Sequence, residues 1–180
     1  DIAAVYSVAK EPSKLSTGYN FVGRIPANQA AFLADGRYGP GWQGVNPVAY
    51  YKDGGIITNA APSAIMNFVA TFKPVKELEL QGQYALNYWE GHNTNWNKRV
   101  QLYLNDGSPD PQTQSKSTLT ETTNRSMRNL LVGRATYSKS FIDAHNFKIT
   151  AGYQQETFWN KWHTGYREVF PFPDYPVLNA

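Results

Sequence analysis

The 180-residue sequence contains no cysteine, which excludes disulfides, thiolate metal sites and cysteine nucleophiles together. It also has no run approaching the ~20 apolar residues that a membrane helix needs. The N-terminal DIAAVYSVAKEPSK lacks the basic start and apolar core of a signal peptide. Any membrane insertion therefore falls to strands. Strong charge is missing as well: the net charge is +3, the lysines and arginines are dispersed, and no base-stacking motif accompanies them, which sets nucleic acid aside. No Gly-rich phosphate loop, nucleophile elbow or Cys/His ligand spacing is present, so the residues point to no enzyme, no cofactor and no metal.

What is present is aromatic and amide-rich, with 12 Tyr, 9 Phe and 5 Trp among many Asn, Gln, Thr and Gly, a mixture that suits strands and long wet loops. The stretch ELELQGQYALNYWEGHNTNW, residues 77–96, alternates through its first half. Leu78, Leu80, Gly82, Tyr84, Leu86 and Tyr88 share one side of a period-2 chain, and Glu79, Gln81, Gln83, Ala85 and Asn87 share the other. In a soluble sandwich the apolar side would turn inward to a core. In an outer-membrane barrel it would turn outward to lipid, leaving the polar side to line water.

Loop lengths favour the barrel. Residues 1–63 read as an irregular extracellular loop region, rich in Gly, Pro, Asn and Tyr, and residues 64–180 as barrel strands and loops. Within the latter, hairpins are expected over 64–88 and 118–160. The first pairs Phe72 with Leu78 across KPVK, and the second pairs Phe141 with Phe147 across IDAHN, which sets Arg134 beside Gln154. The connections then run short, long, short, long, as outer-membrane barrels arrange periplasmic turns and extracellular loops. Aromatic residues gather at both strand ends, with Tyr84, Tyr88, Trp89, Tyr153 and Trp159 read as a membrane-interface girdle. The fold class expected is all-β: a segment of about four strands from a large antiparallel transmembrane barrel with long extracellular loops. The lumen-facing row would be Glu79, Gln81, Gln83, Asn87, Arg134, Thr136 and Gln154.

The segments NPVAYY, NFVATFKPVKELELQGQY and LLVGRATYSKSFIDAHNFKITAGYQQE resemble the mid-barrel region of SusC/RagA-type TonB-dependent outer-membrane transporters. The third is the most specific of them, with Ser-Lys-x-Phe, a short turn holding Asp and His, and then Ala-Gly-Tyr-Gln. The resemblance implies a barrel of about 22 strands around a plug in the outer membrane of a Gram-negative bacterium. It also implies energy from an inner-membrane TonB complex, contact with membrane lipid or lipopolysaccharide, and a SusD-like surface lipoprotein that captures an oligosaccharide or peptide. Nothing in the chain matches the family's plug, TonB-contacting segment or closing strand, so the sequence reads as a piece and no energy-coupling residue carries over.

Candidate substrate contacts are His92, Trp96, Asn97 and Arg99 on one outer segment, Trp162 on the next, and Trp42 with Tyr51 behind them. Aromatic faces stack on sugar rings or peptide side chains, and Asn and Arg hydrogen-bond polar groups; packing of loop on loop accounts for the same residues without a ligand. Glu77 and Glu79 sit beside a turn rather than in a cleft and make a poor glycosidase pair. NDGSPD, residues 105–110, lacks the terminal Glu of a calcium loop. His145, expected to cap its turn with Asp143, stands apart from His92 and His163, so no three-histidine site forms. The alternative to the importer is a soluble carbohydrate-binding β-sandwich, in which the same apolar side chains would make a core.

Overall fold

The computed structural model describes residues 1–114, 116–141, 145–172 and 175–178. Five strands form one antiparallel sheet in sequence order: β1 (Ile2–Pro12), β2 (Gly55–Val75), β3 (Leu78–Asn97), β4 (Thr118–Phe141) and β5 (His145–Glu168). Two short helices, α1 (Leu15–Val22) and α2 (Pro47–Asp53), lie between β1 and β2. No helix among the described residues is long and apolar enough to cross a membrane.

The all-β class stands, with one strand more than the four expected. The expectation of unbroken loop over 1–63 is corrected at both ends, by β1 and by the first residues of β2. β1 is an edge strand held by its backbone. Asp1 and Asn67 exchange two hydrogen bonds of 2.8 Å each, and Ser13 N donates to Gly55 O at 3.0 Å. An edge strand needs only one partner ladder, so a short segment with no strong turn signal around it can pair once β2 is in place.

The other strands run past the hairpin bounds read from the sequence. β3 continues to Asn97 and β5 to Glu168, because polar side chains support the ladder where the apolar alternation has stopped. Asn93 donates to Asn59 Oδ1, and His92 Nδ1 lies 2.9 Å from Thr123 Oγ1. The 20 residues of β3 are about twice the 9–11 that a tilted strand needs to cross a bilayer.

Both hairpin registers differ from expectation by two residues. Lys73 pairs with Glu79 and Asn59 with Asn93, where the sequence suggested Phe72 opposite Leu78. On the second hairpin Thr136 meets Thr150 and Ser140 meets Asn146, so Arg134 lies across from Gly152 rather than beside Gln154. A shift of two leaves every side chain on its own face, so the hydrophobic pattern cannot choose between such registers. Hydroxyl and amide pairs settle the choice here. The turn residues Ile142, Asp143 and Ala144 lie outside the described residues, and with them the expected capping by Asp143; His145 opens β5.

The chain divides into two compact units. The first comprises Asp1–Ser7, Ala61–Gly91 and Asn124–Trp162, and its described residues are strand apart from Asp1 and the turn at Lys76 and Glu77. The second comprises Val8–Ala60, His92–Thr123 and His163–Ala180, and it holds both helices and a small core of Ala49, Tyr50, Val100 and Leu102 with Tyr38 and Val45 against it. Pro47 opens α2 with its preset φ, and Asn46 caps it, accepting from Val48 N and Ala49 N at 3.1 and 3.2 Å. The Asn46 amide also donates to Ala31 O and Gly39 O, so one buried side chain ties the helix to the preceding loop.

Candidate functional site

In the first unit the alternation produces two faces of opposite chemistry. Ile2 and Tyr6 of β1, Phe68 and Phe72 of β2, Leu80 and Tyr84 of β3, Leu131 and Tyr137 of β4, and Phe147, Ile149 and Tyr153 of β5 share one face, and all are exposed. Tyr84 reaches along that face to donate to Asn129 Oδ1 at 3.0 Å.

The other face carries a network of polar side chains, interrupted by Val5, Ile65, Val69, Val75, Leu130, Val132 and Phe158. Lys73 bonds Glu79 at 2.8 Å, Gln83 donates to Asn67 Oδ1 at 2.9 Å, Arg134 donates to Gln81, and Arg128 pairs with Glu156 at 3.3 Å. The ion pairs are exposed and the Gln83–Asn67 bond is part-buried, each pair worth at most about 1 kcal/mol, so their importance lies in holding a polar surface in one arrangement. Toward the short turns the same face forms a polar basin of about 290 Å³ where Lys73, Lys76, Arg134 and Lys148 outnumber Glu77 and Glu79. Of the expected lumen row, Gln81 and Arg134 are bonded to each other, Glu79 pairs with Lys73 and Gln83 with Asn67, while Asn87 and Gln154 stand exposed on the same side.

The expected interfacial girdle needs one correction. Tyr84, Tyr88, Tyr153 and Trp159 take the parity of the apolar face, but Trp89 does not: it shares a side with Gln83 and Asn87, and its ring lies over Gly91, 2.6 Å from where a Cβ would stand. Period-2 geometry alone would have assigned it to the polar face. Trp162 has the parity of Gln154 and is 73% exposed, leaving its ring free to meet a ligand.

In the second unit the expected substrate contacts are mostly committed to internal packing. Trp96 is buried edge-on against Phe170 with ring centroids 4.8 Å apart. Arg99 donates from Nε to Gln114 O at 3.0 Å and from an Nη to Gln101 Oε1, while its backbone N donates to Ser117 Oγ. His92 is held between Thr123 and Thr94, and the amide oxygen of Asn97 is buried without a partner among the described residues. Trp42 is different: it stays 38% exposed, with its backbone exchanging two 3.0 Å bonds with Val45.

Sequence reasoning missed the titratable groups of this unit because burial has no local signature. Lys14 is almost fully buried. Its ammonium donates to Lys98 O at 2.9 Å and sits 4.1 Å from the Tyr50 ring centre, and desolvation pulls its pKa down to about 8. Burial, with the bond donated to Asp53, pushes Tyr38 up to about 12. Burial also raises Tyr50, with Asp110 nearby adding to the effect. Among the described residues no three His, Asp or Glu side chains gather to hold a metal.

The fold and the faces together define a class: an open antiparallel sheet with one unpartnered apolar face and one hydrogen-bonded polar face. No protein-family model matches the chain, and no curated protein matches it.

Proposed function

We propose that the first unit is a piece of the wall of an outer-membrane β-barrel, and that the parent protein is a TonB-dependent importer of oligosaccharides or peptides working with a SusD-like lipoprotein. The exposed apolar face carries the reading. Eleven large side chains on one side of five strands, about half buried on average, would leave roughly 10–15 kcal/mol of hydrophobic transfer energy unrealised in water, as much as a whole domain's net stability. Lipid removes that penalty; water does not. The polar face supports a wet lumen, because its ion pairs and amide bonds need solvent or polar partners to complete their shells.

The soluble sandwich needs a second layer over the same side chains, and their exposure argues against one. β1 and β5 each leave one edge unpaired, so in a bilayer neighbouring strands of the parent would complete the ladder. Import, as opposed to passive diffusion, rests on the resemblance of residues 67–84 and 130–156 to SusC/RagA-type transporters. The test is uptake of a labelled oligosaccharide or peptide mixture by cells carrying the parent protein, with and without a protonophore. Uptake abolished by the protonophore supports import; equal uptake in both arms makes the protein a passive barrel.

A further inference from the structure

The apolar face of the first unit is uncharged over a definite length. From Leu78 to Tyr88 on β3, from Met127 to Tyr137 on β4 and from Phe147 to Trp159 on β5, the residues of that parity include no Asp, Glu, Lys or Arg. Ten to twelve steps along a strand at about 3.3 Å each, tilted by ~45°, cover about 23–28 Å, the height of the apolar band of a membrane barrel. Asn129, Gln155 and Thr157 fall inside the stretch, but their polar groups are engaged there: Tyr84 donates to Asn129 at 3.0 Å, Asn129 to Thr157 at 3.4 Å and Tyr153 to Gln155 at 3.4 Å.

Two residues past Tyr88, Met127 and Trp159 the same face becomes charged, with Glu90, Arg125 and Lys161 side by side on β3, β4 and β5. Arg125 Nε donates to Glu90 Oε1 at 2.8 Å, and the Tyr88 hydroxyl donates to Glu90 Oε2 at 2.6 Å. The register set by the Thr136–Thr150 and Ser140–Asn146 pairs puts Lys161 opposite Arg125. Two cations therefore share the row with one carboxylate whose oxygens are both engaged. Among the described residues Lys161 has no hydrogen bond or ion pair, and the Nη groups of Arg125 have none either.

We infer that Arg125 and Lys161 hold the phosphate group of a membrane lipid whose chains lie along the apolar face. Opposed residues on neighbouring strands have Cβ atoms about 5 Å apart, so a guanidinium and an ammonium on long stems can both reach one phosphate. The Arg125 fork presents its two Nη groups to adjacent phosphate oxygens, and Lys161 adds a point charge. A phosphate free in water gains little from exposed cations, whereas a lipid brings its phosphate to the rim of the apolar band and gains the contact of its chains as well. The row lies at the end away from the short turns, which puts the lipid in the outer leaflet.

The inference rests on the reading of this face as lipid-covered. The test is native mass spectrometry of the detergent-solubilised parent protein titrated with phosphatidic acid or with phosphatidylcholine, whose own cation offsets its phosphate. Phosphatidic acid should be retained in preference, about tenfold less tightly by Lys161→Gln and unchanged by Lys148→Gln, which removes the same charge from the polar face. Glu90→Gln leaves both cations to the phosphate and should tighten binding several-fold, an effect that a row serving only to brace the strands would not give. Displacement of the lipid by millimolar inorganic phosphate or by a hexaglutamate peptide would assign the row to a soluble anion and overturn the inference. Equal retention of the two lipids, or wild-type binding by Lys161→Gln, overturns it and leaves the barrel-wall reading standing; retention of neither lipid overturns both.

Discussion

Leu80→Arg tests the assignment of the apolar face at one point. Leu80 is the third residue of β3, toward the short-turn end of the alternating run and 38% exposed, and the register fixed by Arg134 and Gln81 puts the small side chain of Ala135 across from it. No carboxylate stands on that face of the described strands within one residue pair, so a guanidinium there would meet only hydrocarbon. Such a cation costs about 2–4 kcal/mol at a bilayer midplane and about 0–1 at the interface, so this position, between the two, should cost about 2 kcal/mol. The matched control is Gln83→Arg on the polar face, which loses a bond to Asn67 worth about 1 kcal/mol but leaves the new charge in water. Gln81→Arg is a poorer control, because it sets two guanidinium groups side by side at Arg134. Urea titration of the parent protein folded into phospholipid vesicles reads both variants. Equal costs for Leu80→Arg and Gln83→Arg would refute the reasoning, since a sheet solvated on both faces makes no distinction between them.

Other predictions concern the second unit and its aromatic residues. Lys14 has a folded pKa of about 8 against 10.5 for a free lysine, so folding disfavours its charged form. The penalty is full below pH 8 and fades as the pH rises toward 10.5, so stability should rise by up to about 3 kcal/mol across that window, and Lys14→Met should flatten the slope in melts at pH 7 and 10. Asn46→Ala removes a helix cap and two donated bonds together, at a cost of about 3 kcal/mol in denaturant titration; Asn46→Asp restores the cap acceptor but should remain about 2 kcal/mol down. Trp96→Ala should cost about 3 kcal/mol in the same titration by emptying the contact with Phe170, whereas Trp162→Ala should cost under about 0.5 kcal/mol, so that any fall in uptake reports on ligand contact.

The two faces of the sheet were legible in the sequence because side-chain direction in a strand follows parity, and Leu80 against Gln81 needs no tertiary information. Parity also placed Arg134 and Gln154 on one side, but it could not set the register, since a slip of two residues is invisible to it. The Thr136–Thr150 and Ser140–Asn146 pairs that decide the second hairpin look like ordinary polar positions until the strands are aligned. β1 went unread because Gly, Pro and Asn dominate the 50 or so residues after it, and its partner is more than 40 positions away. The substrate-contact residues were the least legible. Trp96, Arg99 and His92 look like a binding cluster in sequence, and it takes Phe170, Gln114 and Thr123, all distant in the chain, to turn them into packing and bracing.

The central claim, that lipid covers one face of this sheet and water the other, is tested most directly by single cysteines at each position from 78 to 88 in the parent protein. The chain has no cysteine of its own to interfere. Spin labels at these sites in reconstituted membranes would be probed for collision with oxygen, which concentrates in lipid, and with a water-soluble nickel chelate. The account predicts a period of two, with oxygen favoured at positions 78, 80, 84, 86 and 88 and the chelate at 79, 81, 83 and 87. Equal access of the chelate to positions 80 and 81, or exclusion of both reagents from the even positions, would contradict it.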